Sequence, residues 1–373
     1  MTIIGNSFNS RHVQIMSVSQ LHVMQIMLSS QDGGAETFFE KLCLALADAG
    51  IPQNVVIEPN CRREELLASH PLVNVKTIRF RGLHEVPGRI RINRYVKRVK
   101  PDLILTWMDR AVKRAPKGYC PVVARLGGYY GLDRYKGCDR LIGNTPDIVN
   151  YFLRNGISPD RVECIPNFGE IRYEVVSREE TRARIRTTLG VPEQHQLLLA
   201  LGRLHPSKAH DTLIRAIVPI ANVSIIIAGD GPLRSSLEIL AAELRVADRV
   251  HFLGWRTDTA ELFAAADISV FPSRAEPFGN VVVESWGQRV PIIAARSVGP
   301  AWLIEDGVDG LLFDIDNVEQ LTGLIQTLLQ QPELGARLIE AGHCKLQQHF
   351  SKESIVQQYI AMFESVVNRY KAS

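Results

Sequence analysis

The sequence predicts an α/β protein of two doubly wound domains, and three observations carry that prediction. Short runs that are apolar along their whole length alternate with amphipathic stretches from residue 23 to residue 294. Strands of that kind are buried on both faces, as in a parallel sheet covered by helices. The runs form two series, divided near residues 167–176, where the strand pattern stops and a charged helical stretch at 177–190 follows. A chain of 373 residues is also too long for one ordinary core and comfortable for two.

In the first series, strands are expected at residues 23–28, 54–57, 73–78, 103–106, 122–125, 140–142 and 162–165. Helical patterns fall between them, for example at 35–49 and 147–155. In the second series the runs are 197–201, 223–228, 250–252, 268–271 and 291–294, again with helices between. The expected domains are therefore 1–170 and 171–350, followed by a helix at 351–373. Neither a repeat of solenoid period nor a low-complexity tract is visible.

Composition narrows the class. The chain is 46% hydrophobic and 22% charged, which excludes disordered and fibrous proteins. Its six cysteines are scattered without a Cys-x-x-Cys pair, so a reducing cytoplasm is expected and neither a disulfide framework nor a zinc site has support. The first residues lack the basic start and apolar core of a signal peptide. No apolar run approaches the roughly 20 residues of a spanning helix, so a soluble protein is expected.

The net charge of +3 conceals an asymmetry. Residues 1–165 hold 23 Lys/Arg against 15 Asp/Glu, a net of +8, and the remainder 20 against 25, a net of −5. The excess is densest from Arg79 to Lys100, where Arg79, Arg81, Arg89, Arg91, Arg94, Lys97, Arg98 and Lys100 face only Glu85. Two readings fit: a solvated helix face, or a patch that draws the first half to an anionic partner such as a phospholipid surface or a phosphorylated acceptor. Nucleic acid is not expected, because the run lacks interleaved aromatics and no DNA-binding motif accompanies it.

Ligands of open parallel sheets bind at the carboxyl ends of strands, so the loops there carry the candidates. Ser30-Gln31-Asp32-Gly33-Gly34-Ala35-Glu36 follows the first strand and opens the first helix. Its Gly33-Gly34 pair fits a phosphate approached by backbone at a helix N-terminus, and equally a plain turn. After residues 197–201, Gly202-Arg203 and Lys208 set two cations at the same edge, where they can neutralise a diphosphate as its bond to a sugar breaks, or stand as two solvated surface cations. The sharpest signal is Pro272-Ser273-Arg274-Ala275-Glu276-Pro277-Phe278-Gly279-Asn280 with Glu284, although Glu276 also reads as an N-terminal cap and Glu284 as a solvated helix residue. A helix starting near Gly279 offers free amides to phosphate oxygens. Its flanking carboxylates can accept hydroxyls on either side, a sugar at Glu276 and a ribose at Glu284. Gly229-Asp230-Gly231-Pro232 fits backbone laid against a nucleotide base, or a simple strand-to-helix turn. His205 and His210 flank the cation loop, where a solvent-facing or capping histidine is the ordinary case.

Taken in order, Gly33-Gly34-Ala35-Glu36, Gly202-Arg203 with Lys208, Gly229-Asp230-Gly231-Pro232 and Glu276-Pro277-Phe278-Gly279 with Glu284 resemble the family 4 retaining glycosyltransferases of GT-B fold. Asn144-Thr145 through Pro166-Asn167, and the stretch from Glu305 to Leu312, fit the same pattern. The resemblance implies two Rossmann-like domains facing across a cleft, with the C-terminal helix packing back on the N-terminal domain. It implies a nucleoside-diphosphate-sugar donor of UDP or GDP type, gripped at the sugar by Glu276 and at the ribose by Glu284. Arg203 and Lys208 would stabilise the departing diphosphate. The amides of Phe278, Gly279 and Asn280, with Gly33-Gly34 across the cleft, would complete the phosphate cradle, and Gly229 and Asp230 would border the nucleotide. The anomeric configuration would be kept without a protein nucleophile, metal or cofactor. The acceptor would be a bacterial surface glycan or lipid-linked oligosaccharide, and the location cytoplasmic, with a peripheral hold on the inner membrane face through Arg79 to Lys100.

The chain departs from that family in three places. Where many members carry a sugar-contacting histidine, it reads Arg125-Leu126-Gly127-Gly128-Tyr129-Tyr130, which makes Tyr129 and Tyr130 the acceptor-side candidates. Arg289 stands where glycine is usual, and Trp302 where an acid is common. Asp314-Ile315-Asp316 reads as a loop or helix start rather than a metal site. Rival functions on the same fold are a nucleotide-sugar epimerase and a non-catalytic sugar-binding protein. A pyridoxal-phosphate phosphorylase is disfavoured by chain length and by the lack of an assignable cofactor lysine.

Overall fold

The computed structural model describes residues 21–31, 33–80, 82–171 and 177–372. Asp32 of the glycine loop, Arg81 of the basic run, residues 172–176 of the expected break and the first twenty residues lie outside the described residues. Within them, the twelve apolar runs all become strands.

One sheet holds β1 (Val23–Met27), β2 (Gln53–Ile57), β3 (Val73–Thr77), β4 (Leu103–Trp107), β5 (Val122–Leu126), β6 (Arg140–Gly143) and β7 (Val162–Cys164) in the order 3-2-1-4-5-6-7. The other holds β8 (Gln196–Leu201), β9 (Val223–Ala228), β10 (Val250–Gly254), β11 (Ile268–Phe271), β12 (Ile292–Ala295) and β13 (Leu311–Phe313) in the order 10-9-8-11-12-13. Neighbouring strands pair in parallel throughout, for example Val23 with Leu103 and Leu198 with Ile225. In each lobe the order reverses between the first and fourth strands, opening a crevice at their carboxyl ends. The central strands are buried along their whole length, whereas β3 alternates buried and open positions as an edge strand does.

Local chemistry sets the helix ends. Thr145 Oγ1 accepts from the Ile148 amide at 3.3 Å and Pro146 occupies the first helical position, so the helix Pro146–Arg154 begins there. Ser177 caps Arg178–Leu189, and Gly190, in the left-handed region at φ 65°, ends it. The C-terminal helix Lys352–Ala372 leaves the second lobe and returns to the first. Its Ile355, Tyr359, Met362, Phe363 and Val366 join the core formed by Phe38, Phe39, Leu42, Leu105 and Trp107.

Both unusual residues find a physical reason. Arg289 has φ 54°, a left-handed conformation that glycine adopts without penalty, which accounts for the usual glycine. Trp302 packs its indole against Phe278 and Phe350, with ring centres 6.1 and 5.9 Å away. Below it, the buried Trp286 ring fills the space a side chain at Gly342 would need: a Cβ there would lie 2.2 Å from Trp286 Cδ1. Gly342→Ala should therefore destabilise the second lobe by about 1–3 kcal/mol through overpacking, read as a lowered thermal or urea midpoint.

Candidate active site

The loops leaving β1, β8, β9 and β11 converge on one crevice between the lobes. On the second lobe, β8 ends at Leu201 and the chain turns through Gly202-Arg203 into the short 3-10 turn Pro206–Lys208. From there Lys208 Nζ reaches the Glu276 carboxylate, which stands on the loop after β11. The two site residues expected from opposite ends of the donor's reacting bond are thus in direct contact. Phe271 lies under the ammonium, 5.4 Å from ring centre to nitrogen. Arg203 is exposed on the same turn and makes no ion pair among the described residues.

Arg274 holds this turn in place. Its Nη1 donates to the Pro206 carbonyl at 2.6 Å, and its backbone amide to that of Ser207 at 2.9 Å. Asp211 at 2.8 Å and Asp316 at 2.7 Å pair with the guanidinium from either side, raising its pKa further. Thr212 Oγ1 also donates to Asp316 at 3.0 Å. The second acid of Asp314-Ile315-Asp316 is therefore committed to bracing the Lys208 turn.

Beyond Glu276, Gly279 is left-handed at φ 100° and the helix Asn280–Gly287 starts at the next residue. The amides of Phe278, Gly279 and Asn280 donate to no other described residue, as expected of the first turn of a helix. That turn faces the first lobe. Asn280 Nδ2 lies 3.5 Å from the Gly34 carbonyl, and a Cβ on Gly34 would approach the same nitrogen to 3.2 Å. Asn280 Oδ1 accepts from Asn167 Nδ2 at 2.6 Å, and Asn167 Oδ1 accepts from Arg125. Arg125 is buried between the Phe38 and Trp107 rings, each 4.7 Å away, and also donates to Tyr359. The N-termini of Gly34–Asp48 and Asn280–Gly287 thus meet at one place, where both favour negative charge.

Glu284 does not lie free on its helix. Lys41, from the helix Gly34–Asp48, reaches across to Glu284 at 3.4 Å and to Glu170 at 3.2 Å. Burial raises the Glu284 pKa and Lys41 opposes that rise. Lys41 is a site residue that no strand-end motif announced, and Asn167, Arg125 and Arg274 stood in such motifs without a role of their own.

A Cβ at Gly229, whose φ is 154°, would lie 2.0 Å from the Gly202 carbonyl oxygen, so the neighbouring cation loop itself requires glycine there. The Gly229 amide donates to Gly254 at 2.8 Å, bringing the exposed Trp255 to the same edge. Asp230 turns its Oδ1 back to the Gly231 amide at 2.7 Å. Of the tyrosine candidates, Tyr129 spends its hydroxyl on Asp147, and burial with that carboxylate raises its pKa to about 12. Burial raises the Tyr130 pKa, with Glu36 adding to the rise and Arg125 opposing it.

His205 caps its turn, accepting from Ser207 at 3.3 Å. His210 is neither solvent-facing nor a cap: it is buried beneath the turn with Nε2 3.3 Å from the Gly202 carbonyl. Burial lowers its pKa to about 4 from 6.5. The unfolded chain takes up that proton below pH 6.5 and the native protein only near 4, so stability is lost as pH falls through this window. The loss should reach roughly 2–3 kcal/mol, and His210→Gln should flatten the acid limb of a urea-midpoint series run from pH 7 to 4.5.

The chain is similar to known proteins in both sequence and fold. Residues 181–344 match the family model of glycosyl transferases group 1. The chain is 33% identical over 339 residues to the lipopolysaccharide core biosynthesis glycosyltransferase LpsE of Rhizobium meliloti, covering 90% of this chain and 97% of that one. It is 32% identical over 353 residues to LpsD of the same organism, covering 92% and 98%. Among solved structures, Anabaena Alr3699/HepE in complex with UDP-glucose has a TM-score of 0.81 at 22% identity, covering 92% of this chain and all of that one, which is a likeness of fold. With relatives of that identity matched along almost their whole length, the chain belongs to the group 1 glycosyltransferases and has their GT-B fold.

Proposed function

We propose that this glycosyltransferase moves a sugar, with retention of configuration and without a metal, from a UDP- or GDP-type donor to a bacterial surface glycan or lipid-linked acceptor such as a lipopolysaccharide core. The observation that carries the reading is the contact of Lys208 with Glu276 beside the unpaired amides of residues 278–280. Residues 171–350 form the donor domain, and 1–170 with the returning helix 351–373 the acceptor domain. The donor's diphosphate lies between Lys208, Arg203, the 278–280 amides and the Gly33-Gly34 turn, with Glu276 taking sugar hydroxyls and Glu284 the ribose. As the bond from the anomeric carbon to the diphosphate oxygen breaks, the acceptor oxygen forms its bond on the same face. Its proton passes to the departing phosphate, whose charge Lys208 and Arg203 stabilise. Tyr130 and Tyr129 border the acceptor side, and Gly229 and Asp230 the nucleotide. The lipopolysaccharide assignment draws on the stated roles of LpsE and LpsD.

The test is a thermal-shift panel of nucleoside diphosphates and nucleotide sugars, followed by transfer assays with chelator present. One nucleoside diphosphate should raise the melting temperature, and transfer should survive the chelator. Loss of transfer would contradict the metal-free scheme. Conversion of donor without acceptor would favour the epimerase, and absence of any nucleotide binding the sugar-binding protein.

The same reading sets the enzyme at the inner face of the cytoplasmic membrane. No helix among the described residues is long and apolar enough to cross a membrane. The helix Glu85–Val99 carries Arg89, Arg91, Arg94 and Arg98, and Leu83, Val86 and Ile90 are exposed at its start, Leu83 by 96%. Cations beside bare aliphatic side chains suit an anionic interface. Reversing the charges of Arg89, Arg91 and Arg94 should release the protein from phosphatidylglycerol liposomes in a flotation assay. A wild-type protein that never floats with them refutes the membrane reading.

A further inference from the structure

Arg63 carries nothing in the sequence beyond a place in the charged string Arg62-Arg63-Glu64-Glu65. In the structure it is wholly buried, on the helix Cys61–Ala68 that follows β2, with its amide capped by Asn60 Oδ1 at 3.0 Å. Among the described residues its guanidinium reaches both a helix and the loop that enters it. Nε donates to Glu40 Oε1 at 2.7 Å, on the helix Gly34–Asp48. Nη1 donates to the Ser29 carbonyl at 2.7 Å and Nη2 to the Gln31 carbonyl at 2.9 Å, in the loop that enters that helix. Arg62 meets the same Glu40 oxygen at 2.7 Å from the outside.

A buried ion pair is poor stabilisation, since apolar residues of similar volume often serve as well. What a guanidinium adds is a rigid planar fork that fixes several acceptors at once, which a lysine cannot copy. Here the fork ties the loop after β1 to its own helix, immediately before the Gly33-Gly34 turn that meets Asn280 across the cleft. We propose that Arg63 is a positioning residue for glycosyl transfer. By pinning the Ser29 and Gln31 carbonyls to the Glu40 side, it pre-sets the glycine turn against which the donor's distal phosphate rests. The phosphate then meets a formed surface instead of ordering a loop on arrival. Arg63 touches neither donor nor acceptor. The inference rests on the placing of the diphosphate proposed above.

The test compares wild type with Arg63→Lys by titration calorimetry with UDP and UMP, and GDP and GMP in parallel, and by transfer kinetics. Misplacing the turn should weaken diphosphate binding about tenfold and lower kcat by about 10- to 100-fold. Monophosphate affinity and acceptor KM should stay within about twofold, since those groups lie away from the turn. A purely structural arginine would lower the melting temperature and leave the ratio of diphosphate to monophosphate affinity alone. A folded Arg63→Lys with unchanged ratio and kcat overturns the proposal. Should that variant fail to fold, Glu40→Ala carries the test: it removes the acceptor that anchors the fork and should lower the same ratio, and an unchanged ratio overturns the proposal equally. If wild type itself does not prefer either diphosphate to its monophosphate, the placing of the diphosphate fails first, and visibly before any variant is compared.

Discussion

Lys208→Ala should lower kcat by about 10²- to 10³-fold while weakening donor binding by no more than about tenfold. The difference arises because the diphosphate gains charge as its bond to the sugar breaks, so a cation aimed at it is worth more in the transition state than in the bound donor. The ammonium is well placed for that role. It projects from a turn that Arg274 fixes through the Pro206 and Ser207 carbonyls, and among the described residues its ion pair is with the neighbouring Glu276. In the proposed mechanism donor arrival exchanges that partner, Lys208 turning to phosphate and Glu276 to sugar hydroxyls. Lys208→Ala therefore also leaves Glu276 without a cation, and a part of the lost rate belongs to the pair rather than to the lysine alone. Lys208→Arg keeps the charge and should recover activity only in part, because the fork does not replace a point charge on this short turn. Single-turnover rates and donor Kd, measured separately, decide the matter. A kcat within a factor of about two of wild type would remove Lys208 from the phosphate site.

That the pair was readable before the fold was known follows from where it sits. Lys208 and Glu276 stand on loops that leave wholly apolar strands, and in a parallel sheet the carboxyl ends of such strands share one edge. Twelve strands were legible for the same reason. β13 was not, because three residues inside a turn-rich stretch carry no periodicity of their own. The partners of the site residues were illegible for a different reason. Lys41 meets Glu284 across 243 residues of sequence, and Arg125 meets Tyr359 across 234. Only the mutual placing of the lobes and the return of the last helix create those contacts. Gly229 shows the converse: its need for glycine was visible, yet the atom that demands it is a carbonyl of the adjoining loop. His210 misled because no local pattern separates a buried histidine from a surface one at a helix start.

Glu284→Ala should weaken nucleoside diphosphate binding by about 10- to 100-fold, since a charged hydrogen bond to a ribose hydroxyl is worth about 1.5–3 kcal/mol. Lys41 makes the prediction sharper. Burial pushes the Glu284 carboxyl up, and the ammonium at 3.4 Å works against that, favouring the charged form. As pH is lowered from 8, the affinity of Lys41→Met should therefore fall before that of wild type, because the carboxyl, freed of its cation, takes up a proton more readily and then accepts hydroxyls less well. Wild type should show a weaker dependence over that range, and Glu284→Ala almost none. The three profiles, measured by titration calorimetry with UDP or GDP, distinguish a ribose clamp from an ordinary bridge between lobes. A bridge predicts that Lys41→Met and Glu284→Ala lower the melting temperature alike and leave nucleotide affinity flat from pH 6 to 8. Unchanged affinity in Glu284→Ala would take the ribose away from this carboxylate, and leave the contact with Lys41 as a strut between the two helices whose N-termini frame the cleft.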